Sequence, residues 1–309
     1  MTSIPARLVK WYARRLIRLD PSSPTELVRH LRRRLDHPPM PVMLPKGVHQ
    51  QSFRTESVSG DWLSVKDPGR AVLYLHGGGY VSGVTKTYLN LCGKLANALH
   101  ADVYLPNYRL APEHPFPAAV EDAMASYRLL LTRFGPGSIT IMGDSAGGGL
   151  ALGTLLAIRE TQLPMPRCAV AYSPYADMTQ EQPSREANQD TDSFFMASTF
   201  QMIRTLYTPS DESRRHPQAS PVFGDFDGFP PLLLTVDEGE CLRDDAYCVA
   251  DRAREAGVPV ETISRTGMMH VWPIFYPLLS EAREDVAATV RFIRKAGEKR
   301  VPEASVQSG

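Results

Sequence analysis

Apolar residues change their spacing from segment to segment along this chain. Short apolar runs at 71–75, 102–108, 138–142, 168–172, 232–236 and 260–264 have the length and side-chain content of buried strands. Between and after them stand longer stretches with helical spacing, at 87–99, 118–134, 149–159, 243–256 and 281–296. This alternation predicts an α/β fold, a mostly parallel sheet with helices on both faces. In such a sheet the loops at the carboxyl ends of the strands carry the chemistry.

Two stretches depart from the alternation. Near the amino terminus, apolar residues at 4, 8, 11, 12, 16 and 19 recur at helical spacing with arginines between them, which predicts an amphipathic helix. Its apolar face is expected to pack on the protein itself rather than on a membrane. A proline-rich link at 37–41 follows. Between two strands, the polar run 179–184 gives way to a helical run at 198–207, which reads as a lid over the strand ends. Residues 1–50 and 178–216 are therefore expected to form a helical cap on a catalytic domain built from 51–177 and 217–297. Residues 298–309 are expected to be a flexible tail.

Composition narrows the function. The 309 residues are 43% hydrophobic and 22% charged, which fits one large globular domain with a cap. A formal net charge of zero gives no pull toward nucleic acid. That zero hides an asymmetry, because residues 1–50 carry ten Lys/Arg against three Asp/Glu. No apolar run reaches the roughly 18 residues of a membrane span, and arginines interrupt the first helix as they would not in a signal peptide. A cytoplasmic protein without stable membrane association is expected. Cys92, Cys168, Cys241 and Cys248 lack metal-ligand spacing, so reduced thiols and no metal are expected.

The chemistry concentrates in three places. Gly143-Asp144-Ser145-Ala146-Gly147 lies between a strand and a helix, the setting of a nucleophile elbow that exposes a serine on a sharp turn. His76-Gly77-Gly78-Gly79-Tyr80 follows another strand, and its glycines leave backbone N–H groups open to a developing oxyanion. Neither stretch has the glycine and lysine spacing of a nucleotide cradle, so no cofactor is expected. His270, in a loop after the last strand, is the late histidine that a Ser, acid, His order requires. The acid is open among the carboxylates of 237–245, where Asp244 and Asp245 are expected to cap the next helix.

His76-Gly77-Gly78-Gly79, then Tyr108-Arg109-Leu110-Ala111-Pro112-Glu113-His114-Pro115-Phe116-Pro117-Ala118-Ala119, then Gly143-Asp144-Ser145-Ala146-Gly147-Gly148 resemble the hormone-sensitive-lipase family of α/β-hydrolase esterases, in its Gly-Asp-Ser-Ala-Gly branch, over about 70–295. The resemblance implies an eight-stranded sheet, oxyanion donors at Gly78, Gly79 and Ala146, and a bracing role for His76. Aligning Leu242-Arg243-Asp244-Asp245 with the family pattern puts the acid at Glu240, with Asp237 as the alternative. Gly239 stands where this branch often has an acid, and Cys241 where it usually has an apolar residue. Asp144, Arg109, Glu113 and His114 are expected to brace loops, while Tyr80, Phe194, Phe195, Met196, Trp272 and Phe275 are pocket candidates. The implied function is a serine carboxylesterase that cleaves small esters of short- to medium-chain acids through an acyl-enzyme. A lactone or amide hydrolase is the alternative, and a non-catalytic receptor would require a broken triad. A homodimer through the edge strand at 260–264 is implied by resemblance.

Overall fold

The six apolar runs pair into one sheet with two further strands that precede them. The computed structural model describes residues 2–16, 18, 21–35, 41–83 and 86–296; the tail from 298 and most of the proline-rich link lie outside the described residues. The strands are β1 (His49–Arg54), β2 (Ser59–Ser64), β3 (Arg70–Leu75), β4 (Ala101–Pro106), β5 (Ile139–Asp144), β6 (Cys168–Tyr172), β7 (Leu232–Asp237) and β8 (Val260–Arg265). Their order is β1-β2-β4-β3-β5-β6-β7-β8, antiparallel at β1–β2 and β2–β4 and parallel elsewhere. Polar β1 and the Gly-Asp-containing β2 carry no continuous apolar run. Strand β1 is the exposed edge and β2 beside it is partly exposed, so neither needs one.

Helices α1 (Ile4–Leu16), α2 (Pro24–Leu35), α3 (Lys86–Leu99), α4 (Ala118–Leu131), α5 (Ala146–Glu160), α6 (Ser184–Ala187), α7 (Ala197–Tyr207), α8 (Asp211–Arg215), α9 (Arg243–Glu255) and α10 (Ser280–Lys295) complete the fold. Every residue of β4, β5, β6 and β7 is buried, so both faces of the sheet centre are covered. One group of helices joins α3 to α10; another joins α4 to α5. Edge strand β8 is only half-buried. The chain runs from β3 to β4 on one side, then returns past β3 to β5. That reversal leaves a crevice at the carboxyl ends of β3 and β5, where ligands bind in open α/β sheets.

The segment between β6 and β7 holds α6, α7 and α8, and α7 packs against α2. A buried ion pair ties it down. Arg185 of α6 donates both ways to Asp245, at 2.8 and 2.9 Å, and its guanidinium lies over the rings of Tyr175 and Phe200. Asp245 also accepts the N–H groups of Ala176 and Asp177, so the pair is fully hydrogen-bonded, the condition under which burial of charge is tolerated. Asp244 accepts the N–H of Ser184. The two carboxylates thus serve backbone outside α9 rather than capping their own helix, because α6 and the loop after β6 bring more poorly satisfied donors within reach.

The first helix also departs from expectation. In α1 the buried positions are Ala6 and Ala13, while Ile4, Leu8, Trp11 and Tyr12 face outward. By contrast α2 buries Leu27, Val28 and Leu31. Hydrophobic spacing defined the stripe on α1 correctly but not which face the protein covers.

Candidate active site

The turn from β5 into α5 closes only because two residues lack side chains. A Cβ on Gly143 would stand 2.1 Å from the Gly147 carbonyl oxygen, and one on Gly147 would stand 2.1 Å from that of Leu75. Between them Ser145 takes φ 52° and ψ −122°, a strained conformation for a side-chain-bearing residue. Its backbone is pinned: the N–H donates to Tyr172 and the carbonyl accepts from Gly149 and Tyr175. The hydroxyl therefore projects at the strand end, at the amino terminus of α5, whose dipole favours negative charge there.

The neighbouring strand β3 delivers the glycine loop. Leu75 pairs with Gly143 in the sheet, so the loops after β3 and β5 start side by side. Asp144 holds the first of them, accepting from Tyr74, Tyr88 and the N–H of Gly77 at 3.1–3.2 Å. Burial pushes this carboxyl up to about 7 despite those donors. His76 stacks on Tyr108 at 4.1 Å and its Nδ1–H donates to the Gly77 carbonyl. Burial lowers its pKa to about 4, so the ring is neutral. Gly78 and Gly79 have φ of 114° and 64°. Among the described residues, no acceptor meets the N–H groups of Gly78, Gly79 or Ala146.

His270 arrives from the loop after β8. Its Nε2 lies 2.8 Å from Ser145 Oγ, and its Nδ1 lies 2.6 Å from Glu240 Oε2. All three side chains are buried. Glu240 Oε1 accepts the N–H of Asp237. Asp237 does not reach the imidazole; its oxygens accept from Gly239 and Met268 and join the loops after β7 and β8. Burial, with the charge of Glu240, pushes Asp237 up to about 6. Burial also works against an imidazolium at His270, but the hydrogen bond and charge of Glu240, with Asp192 and Asp144 further off, outweigh it. The histidine pKa is raised.

A serine, an imidazole and a carboxylate in series, beside free N–H groups at a helix terminus, match the parts of an acyl-transfer site. A family model described as alpha/beta hydrolase fold matches residues 72–274. The chain belongs to that alpha/beta-hydrolase family. The hydrolase is 39% identical to an acetyl-hydrolase of Streptomyces hygroscopicus over 77% of this chain and 80% of the relative. It superposes with a TM-score of 0.87 on the crystal structure of an esterase from the bacterial hormone-sensitive lipase family, at 34% identity, covering 96% of this chain and 99% of the other. EstE5, crystallised and soaked with p-nitrophenyl butyrate, matches at a TM-score of 0.85 and 33% identity, with 96% and 99% coverage. These likenesses put the hydrolase among the bacterial hormone-sensitive-lipase esterases.

Around the hydrolase site, Phe194 and Phe195 set their ring edges against His270, with centroids 5.9 and 5.5 Å away, and Phe275 lies 6.3 Å from Phe194. Met196 precedes α7 and is half-buried. Tyr80 stacks on Tyr207 of α7 at 3.7 Å, which couples the glycine loop to the inserted segment. Trp272 is fully buried and its indole N–H donates to Asp285 of α10. It braces the His270 loop from behind. A cavity of about 710 Å³ bordered by Arg54, Tyr108, Arg109 and Asp122 includes none of Ser145, Glu240 or His270 and lies apart from this chemistry.

Two contributors escaped the sequence reading. Asp192 accepts the N–H groups of Phe194 and Phe195 through one oxygen and that of Cys241 through the other, so one carboxylate joins the inserted segment to the residue after Glu240. Its Asp-Ser-Phe-Phe context is an Asx-turn signal, though nothing local points to the distant Cys241. Ser173, with φ 46°, accepts the N–H of Val271 beside His270.

Proposed function

We propose that Ser145, His270 and Glu240 form the catalytic triad of a serine carboxylesterase, with Gly78, Gly79 and Ala146 as its oxyanion hole. The observation that carries this reading is the pair of contacts from one imidazole, 2.8 Å to the serine hydroxyl and 2.6 Å to the carboxylate. His270 Nε2 takes the Ser145 proton as the oxygen attacks the ester carbonyl. Glu240 holds the proton on Nδ1 and stabilises the imidazolium that forms. The three N–H groups receive the tetrahedral oxyanion, each worth on the order of 10² to 10³ in turnover. His270 returns its proton to the departing alkoxide, leaving an acyl-enzyme that water releases by the same steps in reverse.

Short- to medium-chain acyl esters are the substrates of this reading. Phe194 and Phe195 flank the imidazole, and Ile203 of α7 packs against Gly79 of the glycine loop. The name acetyl-hydrolase and the p-nitrophenyl butyrate soak of two similar proteins support the same range. In this reading α2, the buried face of α1 at Ala6 and Ala13, and the 178–216 segment act as a cap that excludes water from the acyl-enzyme.

Hydrolysis of p-nitrophenyl esters from acetate to palmitate tests it. The expected result is highest kcat/KM on the short esters and loss of about 10⁶-fold in kcat with Ser145→Ala. Folded protein that turns over none of them, or a Ser145→Ala variant that keeps its rate, would overturn the assignment.

A further inference from the structure

Helix α1 turns its larger apolar side chains away from the protein. Ile4, Leu8, Trp11 and Tyr12 are 74%, 63%, 60% and 52% exposed. Their spacing puts them on one helix face. The helix has no acidic residue, and its Arg7, Arg14 and Arg15 are exposed, with the Arg15 guanidinium 5.7 Å from the centre of the Trp11 ring. Arg29, Arg33 and Arg34 of α2, the next helix in the chain, are exposed as well. In a chain with zero net charge this is a concentrated basic region carrying an uncovered apolar stripe.

A second copy is a poor cover for this face. A two-fold contact would oppose the same arginines to one another, with no carboxylate on the helix to offset them. An anionic lipid surface matches both features: headgroups for the arginines, and an interfacial layer where tryptophan and tyrosine sit with one side apolar and one side wet. No helix of the described residues is long and apolar enough to cross a membrane, so the contact is peripheral. We propose that α1 is a lipid-surface anchor, with Ile4, Leu8, Trp11 and Tyr12 entering the acyl boundary and Arg7, Arg14 and Arg15 engaging anionic headgroups.

The helix is also fastened to the loop that carries His270. Thr2 Oγ1 donates to the Thr266 carbonyl at 3.0 Å and Lys10 Nζ to the Met268 carbonyl at 2.8 Å. Ser3 donates twice to Glu281 at the start of α10. A surface-bound α1 therefore holds the His270 loop about one helix diameter, roughly 10 Å, from the lipid. That position favours esters that partition into a lipid phase.

Trp11 supplies the readout, since Trp62 and Trp272 are buried. The full chain is titrated with vesicles containing roughly a third anionic phosphatidylglycerol and with pure phosphatidylcholine vesicles, following tryptophan emission and co-sedimentation. The expected result is a blue shift and pelleting with the anionic vesicles, reversed by high salt, and at least about tenfold weaker binding to the neutral ones. Leu8→Asp with Tyr12→Asp abolishes pelleting, as does Arg7→Glu with Arg14→Glu. Hydrolysis of dissolved p-nitrophenyl acetate by both variants stays at the unsubstituted rate, which separates this proposal from the catalytic one. Absence of binding to anionic vesicles overturns it, as does equal pelleting of the variants. Vesicle-independent self-association that the Leu8 and Tyr12 substitutions remove would assign the face to a second copy instead.

Discussion

Glu240 and Asp237 stand three residues apart, and their different partners give them different tasks. Glu240 reaches the imidazole; Asp237 binds two backbone N–H groups and joins two loops. Glu240→Gln presents an amide whose N–H₂ competes for His270 Nδ1 and favours the tautomer unable to accept the serine proton. A loss of up to about 10⁴-fold in kcat is expected, with little change in the unfolding midpoint. Asp237→Asn replaces an acceptor with a donor facing an N–H, so it costs about 1–3 kcal/mol of stability and has the smaller effect on kcat. Steady-state kinetics and urea unfolding of the two variants distinguish the assignments. The pH profile tests His270 directly. Only the neutral ring accepts a proton, so kcat/KM rises with pH, and the raised pKa puts its midpoint above the ordinary histidine value of 6.5. In Glu240→Gln the raising partner is gone and burial remains, so the midpoint of the residual activity moves down. A flat profile between about pH 5 and 8 would argue against this histidine as the base.

At the scale of elements, the elbow shows tertiary contact overriding local preference. Three successive glycines, Gly147 to Gly149, open α5, although each costs about 1 kcal/mol relative to alanine in a helix. From helical spacing alone the helix begins at 149; in the structure it begins at Ala146. The reason is close approach: Gly147 lies against the carbonyls of Leu75 and His76, where a Cβ would sit 2.1 and 2.4 Å from oxygen. Gly147→Ala is expected to lower stability by more than about 3 kcal/mol or to prevent folding, because those atoms are backbone and cannot step aside. Gly135→Ala, with nothing within 4 Å of its Cβ, is the control and should leave the thermal midpoint nearly unchanged. A matched pair of melting temperatures would disprove the packing argument. Helix α1 teaches the complementary lesson, since its apolar stripe was legible while its cover was not.

For the whole molecule, strand order decides where the chemistry meets. Adjacent β3 and β5 bring the glycine loop beside the Ser145 turn, and the loops after β7 and β8 bring Glu240 and His270. The inserted segment is bound to this centre by Asp192, and by Asn188, whose amide donates to the carbonyls of Glu238 and Glu240. The sequence by itself determined the α/β class, six of the eight strands, the tight turn at Ser145, the glycine loop and the late histidine. Each of these rests on short-range physics: a hydrophobic period, or glycines where a turn must close. Residue chemistry alone left the acid open, and a family pattern pointed to Glu240. Tertiary structure set Glu240 rather than Asp237 against an imidazole 30 residues away, and that imidazole against a serine 125 residues away. It also turned Trp272 into the core, drew Asp245 to Arg185 and left α1 bare. Those outcomes depend on which distant groups compete for each donor, acceptor and apolar surface, and that competition exists only once the chain has packed.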